Sequence, residues 1–318
     1  MRETEFTYAV ARIRANEPKL LTQAELNAAV AASGFEEAVR RLRDKGYAVE
    51  GNRFSAALQQ KSDDAWALLA EILPDPHALD SLLIGNDFQN LKVMLKALVS
   101  EKTTEGLFVR PSVYDPAALE PLVFERQNDK LPAPLQHADR SAYHILTKTR
   151  FAQLGDSVID RATMEWSIAF AKKEDPVLLR YANVKAALAD LKILCRCIRS
   201  GKTGSFITRC VCGCDDFSKE RLLKVDSMES LADLIAHSPY AAAGEALKES
   251  PAAFEKSCDD LLTETLRDGR NNTFGVLPLA AYWHAVQTEI LNVRILLSAK
   301  LNGVSDGMIK ERMRTLYA

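Results

Sequence analysis

The sequence has no apolar run approaching the roughly 20 residues that a membrane helix requires. It has no excess charge of either sign: 41 Lys and Arg stand against 43 Asp and Glu, a formal net charge of −2. Without a basic stripe, nucleic acid is not an expected partner. Clean period-2 alternation is nearly absent. Only Phe206 to Val211 reads as a strand. The opening Met1-Arg2-Glu3-Thr4-Glu5 carries acids and leads into no apolar h-region, so no signal peptide is expected. The expected compartment is therefore the cytoplasm, with the six cysteines as thiols.

The usual marks of catalysis are missing too. No GxSxG, HExxH, GxGxxG or HxE…PCxxC pattern occurs. The acid pairs Asp63-Asp64, Asp215-Asp216 and Asp259-Asp260 are adjacent, and adjacent side chains diverge on a helix. His77, His137, His144, His237 and His284 show no close metal spacing. Gly201-Lys202-Thr203-Gly204 resembles the tail of a phosphate loop, but Arg196 stands where its first glycine belongs. Following a basic helix end at Arg196 and Arg199, Gly201 reads instead as a C-terminal cap. No cofactor and no direct small-molecule substrate are expected.

The cysteines are the one candidate metal set. Cys195, Cys197, Cys210, Cys212 and Cys214 cluster within twenty residues of sequence, and four thiolates suit zinc. Zinc pairs normally sit two to four residues apart in a turn, and no CxxC occurs. On a helix, i and i+2 point about 200° apart, so Cys195 and Cys197 diverge. Cys195 also falls on an apolar stripe, where cysteine serves as a small hydrophobe. Reduced, partly buried thiols are the expectation, with a metal site as the weaker alternative.

What the chain does have is helix period. With 47% hydrophobic and 26% charged residues its composition is globular. A short phrase recurs near each third: Asn90-Leu91-Lys92-Val93-Met94-Leu95, Asp190-Leu191-Lys192-Ile193-Leu194-Cys195 and Asn292-Val293-Arg294-Ile295-Leu296-Leu297. The separations are 100 and 102 residues. Each copy lies on an apolar stripe of helical spacing: Phe88, Leu91, Leu95 and Leu98; Val184, Leu188, Leu191, Cys195 and Ile198; Val286, Ile290, Val293 and Leu297. Prolines separate these helices, and Thr22 to Glu25 has capping-box spacing, while Ser227 to Ser230 has it without the final acid. Near-equal spacing predicts an all-α fold of three related helical domains from a degenerate internal triplication. Boundaries are placed near Gly106 and Gly204, giving 1–106, 107–204 and 205–318, with discontinuous domains allowed.

Several of these segments resemble a known family. Tyr8-Ala9-Val10-Ala11-Arg12-Ile13-Arg14-Ala15, Leu20-Leu21-Thr22 and the stretch from Phe35-Glu36-Glu37-Ala38 to Gly46-Tyr47 are similar to the start of the C subunit of V/A-type ATP synthases. The eukaryotic relative of that protein is the d subunit of the vacuolar proton pump. Asp87-Phe88-Gln89-Asn90-Leu91-Lys92 resembles the family's DxxNLK helix. Tyr282-Trp283, Glu289, Asn292-Val293-Arg294 and Ile309-Lys310-Glu311-Arg312-Met313 resemble its C-terminal third. The similarity is weakest over Val109–Thr149 and across the cysteines, which are not part of the family pattern.

The resemblance implies a funnel-like, pseudo-threefold, all-helical rotor connector of a V/A-type ATPase, peripheral on the cytoplasmic face of the membrane. It would link the D and F subunits of the central shaft to the proteolipid ring and carry torque for ATP-coupled proton or sodium transport, with no chemistry of its own. Asn90, Lys92, Asn292 and Arg294, at the polar positions of the repeated helices, are the candidate partner-interface residues. Two other readings stand beside this one: a helical scaffold or adaptor unrelated to the pump, and a cysteine-metal-dependent helical enzyme.

Overall fold

A computed structural model describes residues 3–149, 151–202 and 204–317. Met1, Arg2, Arg150, Thr203 and Ala318 lie outside them, which takes in part of the opening Met1–Glu5 and one position of the Gly201–Gly204 run. The chain opens with α1 (Thr7–Asn16), α2 (Gln23–Val30), α3 (Phe35–Arg43) and α4 (Phe54–Ile72). It continues with α5 (Asp80–Ser100), α6 (Pro116–Phe124), α7 (Ala133–Thr149), α8 (Ala152–Glu174), α9 (Pro176–Arg199), α10 (Gly204–Cys210), α11 (Lys219–Leu222) and α12 (Met228–Ala236). It closes with α13 (Ala241–Glu249), α14 (Pro251–Thr265), α15 (Leu277–Leu301) and α16 (Asp306–Arg312). The protein is all-α: no strand occurs among the described residues, and a lone antiparallel bridge joins Glu50 to Arg53. None of the described helices is long and apolar enough to cross a membrane.

The expected strand at Phe206–Val211 is instead the seven-residue helix α10, which ends at Cys210. Seven residues carry too few turns for a helical period to show, and a short apolar run does not separate helix from strand. Other local signals read as expected. Thr22 and Glu25 form a reciprocal capping box at the start of α2. Ser227 and Ser230 form one on α12, the Ser230 hydroxyl taking the place of the missing acid. Proline occupies the first turns of α6, α9, α14 and α15, where no intrahelical N–H is needed.

The helices gather into two compact units, residues 1–78 with 239–318 and residues 79–238. The first is discontinuous, built from both ends of the chain. At its centre α15 is buried on nearly every side between Leu277 and Leu297, the pattern of a helix surrounded by others. It packs chiefly on α4, where Trp66 and Trp283 meet edge to face with centroids 5.1 Å apart. In the second unit the apolar face of α5, with Phe88, Leu91, Met94 and Leu95, shares one core with Leu135 and Ala142 of α7 and Ile159 of α8. The helix α9 packs against α8 in turn.

Candidate functional site

The repeated phrase falls in the second half of α5, α9 and α15, and its leading polar residue is buried in all three. Asn90 and Asp190 are 1% exposed and Asn292 is 0% exposed. A buried amide or carboxylate needs partners, since leaving such a group unmet costs roughly 1–3 kcal/mol. Each finds them on the chain that returns after its own helix. Asn90 accepts from Val109 N–H at 2.7 Å and donates to Val109 C=O at 3.0 Å. Asn292 accepts from Arg314 N–H at 2.8 Å and donates to Arg314 C=O at 3.0 Å. Asp190 has no donor to offer, and it accepts from Cys212 N–H at 2.9 Å and Gly213 N–H at 2.7 Å.

The helix ends match as well. Eleven residues beyond each polar anchor stands a left-handed residue: Glu101 (φ 54°), Gly201 (φ 62°) and Gly303 (φ 65°). The following N–H groups of Lys102, Lys202 and Val304 close back on Ala97, Cys197 and Ala299 carbonyls at 3.0, 3.0 and 2.9 Å. Gly201 is thus the cap of a basic helix end. The glycines at 201 and 303 take this conformation without the Cβ conflict that Glu101 bears.

Neighbouring polar residues, beyond the four interface candidates, extend the grip. Asp87 accepts from Val113 and Tyr114 N–H, both at 2.9 Å. Asn183 accepts from Asp215 N–H at 3.1 Å. Glu289, 1% exposed, accepts from Leu21 N–H at 2.7 Å and from the Tyr47 hydroxyl at 2.8 Å, with Lys61 at 3.5 Å. Asp87 and Glu289 each precede an anchor asparagine by three residues, one helical turn, which is the signal in the sequence that marks them. Burial pushes the Asp87 and Asp190 carboxyls up to about 6 against the pull of their backbone donors. Burial and the Glu289 charge push the Tyr47 phenol up.

The cations two residues past each anchor have diverged. Lys92 pairs with Asp160 of α8, and one turn later Lys96 pairs with Asp156 at 2.8 Å. The Lys92 side chain is 13% exposed. Arg294 is exposed on α15, with no acidic or hydrogen-bonding partner among the described residues. Of the four candidate interface residues, the structure therefore buries Asn90 and Asn292 in internal bonds, pairs Lys92 and presents Arg294. Asn90 and Lys92 belong to one unit, Asn292 and Arg294 to the other.

The cysteines form no disulfide. Cys195, Cys197 and Cys210 are buried, and Cys212 and Cys214 half-buried. Burial pushes the Cys197 thiol up to about 11 and the Cys212 thiol up to about 12, and raises those of Cys210 and Cys214. No group of three or more His, Cys, Asp or Glu among the described residues is placed to hold a metal ion. The Cys212–Gly213 backbone serves Asp190, so this segment is the return that α9 grips.

Comparison with known proteins supplies what the geometry alone does not. The model of the ATP synthase (C/AC39) subunit family matches residues 9–312. The chain belongs to that family. The C subunit of a V-type sodium ATPase from Enterococcus hirae is 24% identical over 274 residues, covering 83% of each chain. In this C/AC39-family chain the match takes in α5, α9 and α15 with their anchors, and also the cysteine segment. Membership makes the chain a component of a V/A-type ATPase.

Proposed function

We propose that the chain is the non-catalytic central-stalk connector of a V/A-type ATPase, seated on the cytoplasmic face between the D and F subunits of the shaft and the proteolipid ring. The family match over residues 9–312 is the observation that carries this reading. A connector turns angular displacement at one end into the same displacement at the other, and packed helical interiors suit it because they deform little. The anchors add to this by tying each long helix to the segment that follows it, so the return cannot slide along the helix without breaking two bonds to a buried side chain. The three matching anchors and caps also support a degenerate triplication.

The four candidate residues enter at different depths. Arg294 is a contact candidate. Lys92 with Asp160 is a paired surface group, and Asn90 and Asn292 hold the backbone beneath. No nucleic acid and no small-molecule substrate is part of the proposal. The coupled ion, sodium in the named relative and proton or sodium here, is set by the ring.

The test is reconstitution. Mixed with its cognate D–F pair and detergent-solubilised ring, the chain should co-elute with both as one stoichiometric complex. A chain that elutes alone from each mixture rejects the reading.

A further inference from the structure

Equivalent faces of two repeated helices differ in what covers them. On α5, Lys92 and Lys96 meet Asp160 and Asp156 of α8, and the apolar row beside them shares a core with Ile159 and Ala162 of that helix. The positions 202 residues later are Arg294 and Ser298 on α15. There they line an open groove of about 790 Å³ between α14, α15 and α16. Ile295, Val304 and the 53%-exposed Met308 supply its apolar floor. Arg312, exposed and with no side-chain partner among the described residues, stands on the same groove. Arg314 is held by Asp259, Nε to Oδ2 at 2.9 Å. Pro251 and Ala252 bring the first turn of the fifteen-residue α14 to one end, adding the positive pole of a helix dipole.

We propose that this groove is a docking site for an amphipathic, acidic helix of another subunit, which lies on α15 as α8 lies on α5. Apolar side chains of the incoming helix cover Ile295, Val304 and Met308. Carboxylates one turn apart meet Arg294 and Arg312, the guanidinium suiting a bidentate grip on carboxylate. Arg294 and Arg312 outnumber Glu255, the one carboxylate on the lining, so the groove is net cationic and selects an acidic occupant, while its apolar strip selects an amphipathic one. A helix-in-groove contact of this kind is read by anchors at i, i+3 and i+4. The inference rests on the central-stalk reading only in taking the helix from another subunit of the complex.

The experiment places the photo-crosslinker benzoyl-phenylalanine at Ser298 in the full chain and assembles it with the D–F pair and ring. After illumination, mass spectrometry of the assembled complex should find the adduct on a helix with Asp or Glu at i and i+3 or i+4. Arg294→Glu with Arg312→Glu should cut the adduct yield at least tenfold while thermal unfolding stays unchanged, and Arg294→Lys, which keeps the charge but loses the fork, should give a yield between the two. A complex that forms without such an adduct, or with an adduct on a basic or purely apolar segment, overturns this inference and leaves the connector reading standing. Failure to assemble rejects both. Sedimentation of the free chain with phosphatidylserine vesicles, abolished by Arg294→Glu, would overturn it in favour of a lipid surface.

Discussion

Asn90 and Asp190 hold the same place on two helices of one unit and grip their return segments in different ways. The asparagine offers one acceptor and one donor, and so takes both the N–H and the C=O of a single residue, Val109. The aspartate offers acceptors only, and so takes the N–H groups of two consecutive residues, Cys212 and Gly213. Asn292, in the other unit, repeats the first solution on Arg314. The anchor is thus a position, and its chemistry follows from which backbone groups the return presents. The difference has an electrostatic consequence: Asp190 titrates and its two counterparts do not.

Exchanging the residues should break the comparison most severely at Asn90 and Asn292. Asn90→Asp or Asn292→Asp sets a buried carboxylate against a carbonyl oxygen. The expected cost at pH 7 is about 3–5 kcal/mol, as for other uncompensated buried charges. It should shrink towards pH 4, because a protonated acid reproduces the donor and acceptor of the amide. Urea unfolding at the two pH values checks this, and a cost that does not change with pH would contradict the assigned bonds.

The converse exchange, Asp190→Asn, should behave oppositely. The folded pKa of Asp190, about 6, lies above its unfolded value near 3.8. The stability it contributes is therefore fully present below pH 3.8 and is lost as pH rises through 6. A shift of about two units corresponds to at most about 3 kcal/mol. At pH 4 wild type and variant should agree within about 1 kcal/mol, and between pH 4 and 7 the balance should move towards the variant. Asp87 keeps its own similar contribution in both proteins, so the difference between the two curves isolates Asp190.

The smallest effect is expected where the repeats differ at the surface. Lys92→Ala removes a cation whose partner Asp160 is 54% exposed, so the loss should stay below about 1 kcal/mol in thermal unfolding. A larger loss would mean that the α5–α8 face depends on charge more than on its apolar row, and would weaken the likeness between that face and the one bearing Arg294.

The helical character of the chain and the equivalence of its three long helices were legible because apolar stripes and glycine caps leave local marks. Gly201 and Gly303 announce their caps, whereas Glu101 takes the same left-handed turn with no glycine to signal it. The second capping box was half legible, since a serine hydroxyl does the work usually sought from an acid. The work of Asn90 and Asn292 was not legible. Their partners are backbone groups of segments about twenty residues away, and backbone carries no residue signature. The contrast between Lys92 and Arg294 was equally hidden, because whether a helix covers a face is decided by tertiary packing and not by the face itself. The two compact units, one of them discontinuous, depend on contacts between chain ends that no local pattern encodes.

Glu289 also imposes an order of events on synthesis. The Leu21 N–H and the Tyr47 hydroxyl leave the ribosome first, and the carboxylate that receives both emerges roughly 240 residues after Tyr47. At the usual elongation rate that delay is on the order of 10–50 s. Throughout it α1, α3 and α4 lack α15, on which they pack, while residues 79–238 make contacts of their own as they emerge. The faces of α1, α3 and α4 that α15 covers are therefore left waiting for a partner made much later.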